Sequence, residues 1–249
     1  MAQSDKNAPF VPRGAVIKDG VIYVANFVLD NSGTPGRVEA FAGSGALLGQ
    51  LTPADASRAS RFRPRGVVIG PDGLLYVSSD PNFVLPMGPT TGGEVLKFDP
   101  NTLDFKGTLI SDLVGGSGQL NRPEALVFGP DVRLYVTSFR ADPFNSADTD
   151  SIRIYDVTGL LVDVINLDKG QQKRVAAQAL LFGPDGRLYV PINDTLNADP
   201  NHVGEVRSYD VATHDSTVVL PPFAQGGTLK NPWFLTFGRT NSATLAYGD

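Results

Sequence analysis

Short apolar runs separated by tight-turn residues recur along the chain. In the clearest copy, Arg63 to Asp80, the apolar run Val67–Ile69 leads through Gly-Pro-Asp-Gly into a second apolar run that ends at Val77. Proline at the turn has a preset φ, and glycine supplies the positive φ that the turn requires. The pattern therefore predicts a strand, a tight turn and a second strand.

Further copies of this hairpin follow at a nearly constant spacing. They begin at Arg13, Pro123 and Ala179, and a degenerate copy runs from Pro232 to Gly238 and resumes at Leu245. The tyrosine of the second strand recurs every 53 to 59 residues, at Tyr23, Tyr76, Tyr135, Tyr189 and Tyr247. A period of this length suits one propeller blade, because four short strands and their loops fill it. We interpret the first four tyrosines as blade packing.

The sequence thus predicts an all-β fold, a β-propeller of about five four-stranded blades, with six as the alternative. The predicted blades of this single domain cover residues 12–52, 64–111, 123–168, 178–221 and 232–249. The last blade is incomplete, with strands predicted only at Trp233–Phe237 and Thr244–Tyr247. Three explanations stay open: residues 1–11 close a small blade, the chain is trimmed from a longer protein, or another molecule adds strands to the edge.

Composition narrows the class of protein further. The 249 residues include 27 glycines and 19 prolines, which suits many short strands joined by turns, and there is no cysteine for a disulfide or a thiol nucleophile. The formal net charge of −5 argues against nucleic-acid binding, which needs a basic patch. No apolar run has the length of a membrane helix. The polar start Met1–Ser4 favours an exported, secreted or periplasmic protein, with a cytoplasmic protein as the alternative.

The segment from Pro64 to Asp80 resembles the NHL repeat. It is also similar to the propellers of the senescence-marker-protein/gluconolactonase family and of the virginiamycin B lyase-like family. The resemblance implies a propeller, which in those families usually has six or seven blades. Metal-dependent lactonases of the gluconolactonase type place a glutamate at the start of an inner strand, with Asn and Asp residues of other blades around one divalent ion. Glu124 matches that glutamate.

One face of a propeller carries the loops that enter each inner strand and the loops between its second and third strands. Four of those second loops are long and polar here, at 30–32, 80–82, 142–150 and 193–202. Long loops on a rigid scaffold tend to bind ligands, although they can also be merely solvated. The residues expected at the mouth of the central channel on this face are Arg13, Arg65, Glu124, Gln178 and Trp233.

Two interpretations of the mouth arginines stay open. Arg13 and Arg65 can clamp a carboxylate or phosphate, or Glu124 can neutralise one of them in a structural ion pair, which we favour. Divalent cations such as calcium prefer oxygen ligands, which could come from Glu124 or from the polar loops. The loop candidates are Asp142, Asn145, Asp148, Asp150, Asn193 and Asp194. A solvated acidic loop is the alternative for each of these loops.

These residues lead to three functional hypotheses. The first is a binding scaffold that holds a protein, a carbohydrate or a small molecule at the long-loop face. The second is a metal-dependent lactonase or lyase of the gluconolactonase or streptogramin-lyase kind, with Glu124 and His202 as catalytic candidates. The third is self-association through the edge of the last blade. The sequence specifies no cofactor beyond the candidate divalent cation.

Overall fold

A computed structural model describes residues 9, 11–27, 34–82, 92–111, 120–140, 149–168, 174–193 and 201–248. In these ranges the fold is all-β, with four antiparallel sheets of four strands each. In every sheet the spatial order of the strands follows their order in the chain. Each sheet is one propeller blade, and the first strand of each is its inner strand.

The strands lie close to the predicted ones. Blade 1 consists of β1 (Pro12–Lys18), β2 (Val21–Asn26), β3 (Arg37–Ala42) and β4 (Leu47–Leu51). After the short helix α1 (Ala56–Ala59), blade 2 consists of β5 (Pro64–Ile69), β6 (Leu75–Ser79), β7 (Glu94–Phe98) and β8 (Phe105–Ser111). Blade 3 consists of β9 (Leu126–Phe128), β10 (Leu134–Ser138), β11 (Ser151–Tyr155) and β12 (Leu161–Asn166). Blade 4 consists of β13 (Leu181–Phe182), β14 (Leu188–Ile192), β15 (Glu205–Tyr209) and β16 (Ser216–Leu220).

Three hairpin turns share one construction. In blade 2, Gly73 N–H donates to the carbonyl of Gly70 at 2.9 Å, and Gly73 has a φ of +79°. Gly186 of blade 4 has the same role, with a φ of +74°. Blade 3 has Val132 at this position with a φ of +65°, which is strained for a β-branched residue. The turns therefore fold alike although one of them lacks the glycine.

Apolar side chains fill the space between successive blades. The tyrosine of one blade meets an aromatic ring of the next edge to face, as Tyr76 does with Phe128 and Tyr135 with Phe182. The hydroxyls of Tyr76, Tyr135 and Tyr189 also donate to the aspartate of their own turn, at 2.8 Å from Tyr76 to Asp72. The Tyr23 hydroxyl donates instead to the Pro100 carbonyl of blade 2. These contacts agree with the predicted packing role of the tyrosines.

The described residues form four blades and no fifth, so the predicted count of five or six blades is not confirmed. Residues 222–248 contain a 3-10 turn at Phe223–Gln225 and isolated bridges, where strands were predicted at Trp233–Phe237 and Thr244–Tyr247. The segment instead crosses the turn end of the channel. Its Ser242 and Ala243 carbonyls accept hydrogen bonds from the N–H groups of Ile17 and Ile69 at 2.9 and 3.0 Å. These bonds attach the segment to the inner strands of blades 1 and 2.

The N-terminal closing strand lies mostly outside the described residues. Val11 is described, and its carbonyl accepts a hydrogen bond from Phe27 N–H at 3.0 Å. Its own N–H donates to the Asn26 side chain at 3.1 Å. Val11 thus contacts blade 1 rather than the last repeat. Among the described residues no helix is long and apolar enough to cross a membrane.

The flank of blade 4 is exposed where the other blades are covered. One position in the outer strand pairs with the second residue of the third strand in every blade: Leu51, Ile110, Ile165 and Leu220. The first three are at most 6% exposed, because the following blade packs on them, whereas Leu220 is 47% exposed. Within the described part of the chain, the outer strand of blade 4 therefore lacks the neighbour that the outer strands of the other three blades have.

Candidate functional site

The five residues predicted at the channel mouth line one cavity. Its volume is about 90 Å³, and its lining includes Arg13, Arg65, Glu124, Gln178 and Trp233. The first two lie at the start of the inner strands β1 and β5, and Glu124 and Gln178 lie just before β9 and β13. Trp233 reaches the mouth from the C-terminal segment. The structure thus brings together the whole predicted set, and its ligand-binding role stays a prediction.

Two glycines let the inner strands approach each other closely at the mouth. A Cβ atom at Gly66 would lie 2.7 Å from the carbonyl oxygen of Glu124, and one at Gly14 would lie 2.8 Å from that of Arg65. Such contacts are shorter than side chains tolerate, so glycine is needed at both positions. The close approach places Arg13, Arg65 and Glu124 side by side.

Two carboxylates hold the Nη groups of Arg65. Its Nη1 donates to Glu124 Oε1, and its Nη2 lies 3.3 Å from Asp80 Oδ2. The guanidinium also lies over the ring of Phe27, 4.0 Å from the centroid. The structural ion pair that we favoured between Glu124 and a mouth arginine is therefore present, and it involves Arg65.

Asp80 is a buried carboxyl directly after β6. Burial raises its pKa to about 6, against the opposing effect of Arg65 and Arg122. Its Oδ1 is buried without a hydrogen bond. Burial also lowers the pKa of Arg122, which Asp80 partly offsets. The mouth therefore rests on a layer of closely packed opposite charges in which not every polar atom is satisfied.

Arg13 differs from Arg65 in its contacts. Its guanidinium lies 5.4 Å from the ring centroid of Phe27 and 5.7 Å from that of Trp233. Its Nε is buried and has no hydrogen-bond partner, and among the described residues the side chain has no ion pair. Burial lowers the pKa of Arg13, while the charge of Glu124 acts in the opposite direction. Within the described ranges, Arg13 is thus a partly desolvated cation with no carboxylate partner.

Exposed aromatic rings border the mouth. Trp233 and Phe234 are 46% and 63% exposed, and both line the cavity. The sequence prediction included Trp233 but missed Phe234. An arginine between aromatic rings favours ligands that combine a negative charge with an apolar surface.

The structure describes only some of the candidate metal ligands. Asp142, Asn145, Asp148 and Asp194 lie outside the described residues. Asp150 is buried, and its carboxylate accepts hydrogen bonds from Arg174 Nε at 2.9 Å and from Arg140 N–H at 3.0 Å. Asn193 is buried, and its N–H donates to the carbonyl of Ala176. Within the described ranges no three His, Cys, Asp or Glu side chains are placed to hold a metal ion, and the cation itself stays untested.

His202 lies away from the channel mouth. Its Nδ1 is 3.7 Å from Glu205 Oε2, and Glu205 is paired with Arg207. The lining of the mouth cavity includes Glu124 but not His202. The two catalytic candidates therefore do not face one small cavity, and catalysis by either stays a prediction.

Sequence reasoning did not assign to the mouth the residues that support it, although it placed one of them, Asp80, in the polar loop 80–82 on the same face. They are Phe27, Asp80 and Phe139. The ring centroid of Phe139 lies 5.9 Å from the guanidinium carbon of Arg122. All three follow the repeated tyrosine of their blade by four residues, at the end of the second strand. The repeat spacing that revealed the blades could have revealed these positions, because equivalent residues of successive blades face the same channel.

Comparisons with known proteins show the fold. No protein-family model matches the chain, and no curated protein matches it either. Among solved structures, a protein proposed to be a gluconolactonase matches with a TM-score of 0.58 at 15% identity. The fold is that of a β-propeller. That match covers 91% of this chain and 67% of the other, in accord with the resemblance noted in the sequence.

Two further solved structures extend the comparison. Hydrazine synthase of Kuenenia stuttgartiensis matches with a TM-score of 0.55 at 16% identity, over 88% of this chain and 52% of that chain. The extracellular domain of a proposed one-component system from B. thetaiotaomicron matches with a TM-score of 0.56 at 12% identity, over 98% and 28%. The chain therefore spans between about a quarter and two thirds of the length of these proteins, and identities this low carry the fold alone.

Proposed function

We propose that the protein is a binding propeller whose channel mouth holds the carboxylate of a small organic ligand. The observation that carries the proposal is Arg13, a partly desolvated guanidinium whose buried Nε has no hydrogen bond and which, unlike Arg65, has no ion pair among the described residues. A carboxylate at the mouth would accept its hydrogen bonds in the paired geometry that guanidinium favours. Arg65 is already held by Glu124 and Asp80, so Arg13 is the anchor rather than one half of a symmetric clamp.

The neighbours of Arg13 support a ligand that is anionic and partly apolar. Trp233 borders the guanidinium on one side and is half exposed, so a ligand can cover its ring while its carboxylate meets Arg13. Glu124 is paired to Arg65, which lowers its repulsion of an incoming anion. The hypothesis of a lactonase or lyase keeps no comparable support in the described residues.

The single tryptophan of the chain provides the measurement, because it lines the mouth. We expect hexanoate to change the fluorescence of Trp233 in a saturable way at neutral pH, and hexanamide to bind at least tenfold more weakly. The R13M variant should lose about tenfold or more in hexanoate affinity, since one charge-assisted pair contributes about 1.5–3 kcal/mol.

The matched control is R133M, which removes one positive charge from an exposed turn on the opposite face. It should bind hexanoate like the wild type. The proposal is overturned if hexanoate leaves Trp233 fluorescence unchanged up to about 50 mM, well above the millimolar range of weak ligands. It is also overturned if R13M and R133M bind equally well.

A further inference from the structure

A second cavity of about 270 Å³ lies directly below the channel mouth. It shares Gly14, Gly66, Ala125 and Phe234 with the lining of the mouth, and it continues along the inner strands of all four blades. The two cavities therefore lie end to end on the propeller axis. Together they have the volume of a typical small-molecule site.

The lower cavity is apolar. Val67, Leu126, Leu180 and Leu235 are among its lining residues. Two threonines also line it, but Thr240 Oγ1 accepts a hydrogen bond from Phe237 N–H, and Thr236 Oγ1 donates to the Phe237 carbonyl. Because both hydroxyls already bond the main chain, the walls favour an apolar occupant.

The C-terminal segment ends this cavity at the turn face. Leu245 lines the cavity and packs against all three hydrophobic clusters between the blades. It has a φ of +57°, and its N–H donates to the Asn241 carbonyl at 3.0 Å. With the hydrogen bonds of Ser242 and Ala243 to the inner strands, Leu245 forms the floor of a pocket that opens at Arg13.

We propose that this channel binds the apolar tail of a monocarboxylate whose head group is held by Arg13. The inference rests on the proposed function and specifies its ligand class: a short fatty acid or a phenyl-substituted acid with a tail of about five or six carbons. An apolar cavity of about 150 Å³ holds benzene, so the present cavity accommodates a tail of that size. The charged mouth and the apolar channel thus form one amphiphilic site.

A series of straight-chain acids tests the tail. Acetate, butanoate, hexanoate and octanoate are titrated against the full chain, with Trp233 fluorescence as the readout. Each added methylene should improve affinity by about fourfold until the channel is filled, since burial of one methylene contributes about that factor. Hexanol, which has the hexanoate chain but no carboxylate, should bind more weakly than hexanoate.

Two variants fill the channel without touching Arg13. Ala179 is buried in its wall and Ala15 is an exposed wall residue, so A15L is the milder change if A179L folds poorly. Both should weaken hexanoate at least tenfold and leave acetate unchanged. A212L, which adds the same side chain at an exposed turn, is the control and should bind hexanoate like the wild type.

The outcomes separate the two proposals. Equal affinity for all chain lengths, with dependence on Arg13 intact, overturns the channel proposal and leaves carboxylate binding at the mouth standing. The channel proposal is also overturned if longer acids bind more tightly but A179L and A15L have no effect, because the tail then lies on the exposed rings of Trp233 and Phe234. If no acid binds, both proposals fall.

Discussion

Phe237 meets Tyr189 edge to face, with ring centroids 5.1 Å apart and ring planes at 81°. Tyr76 and Phe128 join blade 2 to blade 3 in the same way, with centroids 4.9 Å apart and ring planes at 78°. Tyr135 and Phe182 join blade 3 to blade 4 at 5.0 Å and 80°. In those pairs the second ring belongs to an inner strand. Phe237 therefore occupies the inner-strand position of a following blade, although its segment forms no strand.

We expect Phe237 to hold the C-terminal segment against blade 4. Its ring also contacts Tyr247, at 5.9 Å between centroids. F237A should lower the free energy of unfolding by about 2 kcal/mol, because it removes two aromatic pairs and a half-buried ring. Urea unfolding monitored by circular dichroism measures this loss.

Two other phenylalanine variants should give a larger and a smaller loss of unfolding free energy than F237A. F182A removes a ring that is only 4% exposed between two blades, and it should cost about 3–5 kcal/mol. F234A removes a ring that is 63% exposed, and it should cost less than about 0.5 kcal/mol. If F237A resembles F234A, the segment is not anchored by the pair with Tyr189.

At Phe237 the sequence predicts the position of the repeat but not the secondary structure of the segment. The Pro232–Gly238 copy was recognised because it keeps the aromatic residue before glycine, and that residue packs as in other repeats. The strand was wrong because a strand needs hydrogen-bonding partners that local patterning does not reveal. Here the segment bonds to Ile17 and Ile69 at the turn end of the channel instead of adding a sheet.

The mouth was predictable for a different reason. Residues at equivalent positions of a repeat converge on the axis, so Arg13, Arg65 and Glu124 could be placed together without knowing the fold in detail. Which arginine pairs with Glu124 depends on side-chain geometry and on Asp80, which approaches from the end of β6. The apolar channel and its Leu245 floor were not predicted, because they depend on where the C-terminal segment docks.

The turn of blade 3 offers a stabilising substitution. Val132 has a φ of +65°, where glycine occurs in the turns of blades 2 and 4, and its side chain is 46% exposed. V132G should raise the free energy of unfolding by about 1 kcal/mol, because relief of left-handed strain exceeds the added flexibility of the unfolded chain. The reciprocal G73V in blade 2 should be destabilising. Thermal unfolding of both variants tests the prediction, and a destabilised V132G would contradict it.

The open flank of blade 4 predicts unequal costs at equivalent positions. I165S places a hydroxyl in a fully buried site between blades 3 and 4 and should cost about 3 kcal/mol or more. L220S changes a residue that is 47% exposed and should cost less than about 1 kcal/mol. Urea unfolding at several protein concentrations measures both. A cost of L220S that grows with concentration would indicate that a second molecule covers the flank, as the self-association hypothesis requires.

Asp80 predicts a pH-dependent contribution to stability. Burial raises its pKa in the folded protein to about 6, above the ordinary value of 3.8 for an aspartate. The folded state therefore holds this proton more tightly than the unfolded state does. The contribution of Asp80 to stability is complete below about pH 4 and is lost as the pH rises through about 6.

The variant D80N isolates this contribution, because asparagine keeps the shape and does not titrate. The stability of D80N relative to the wild type should increase between pH 4 and pH 7, by about 3 kcal/mol for a difference of about two pH units in pKa. D55N is a control of opposite sign, because a hydrogen bond from the Ser57 side chain lowers the pKa of the exposed Asp55. Its stability relative to the wild type should decrease as the pH rises to about 4 and then stay level up to pH 7. Parallel pH profiles for the wild type and D80N would show that the charged network around Arg65 offsets the burial of Asp80.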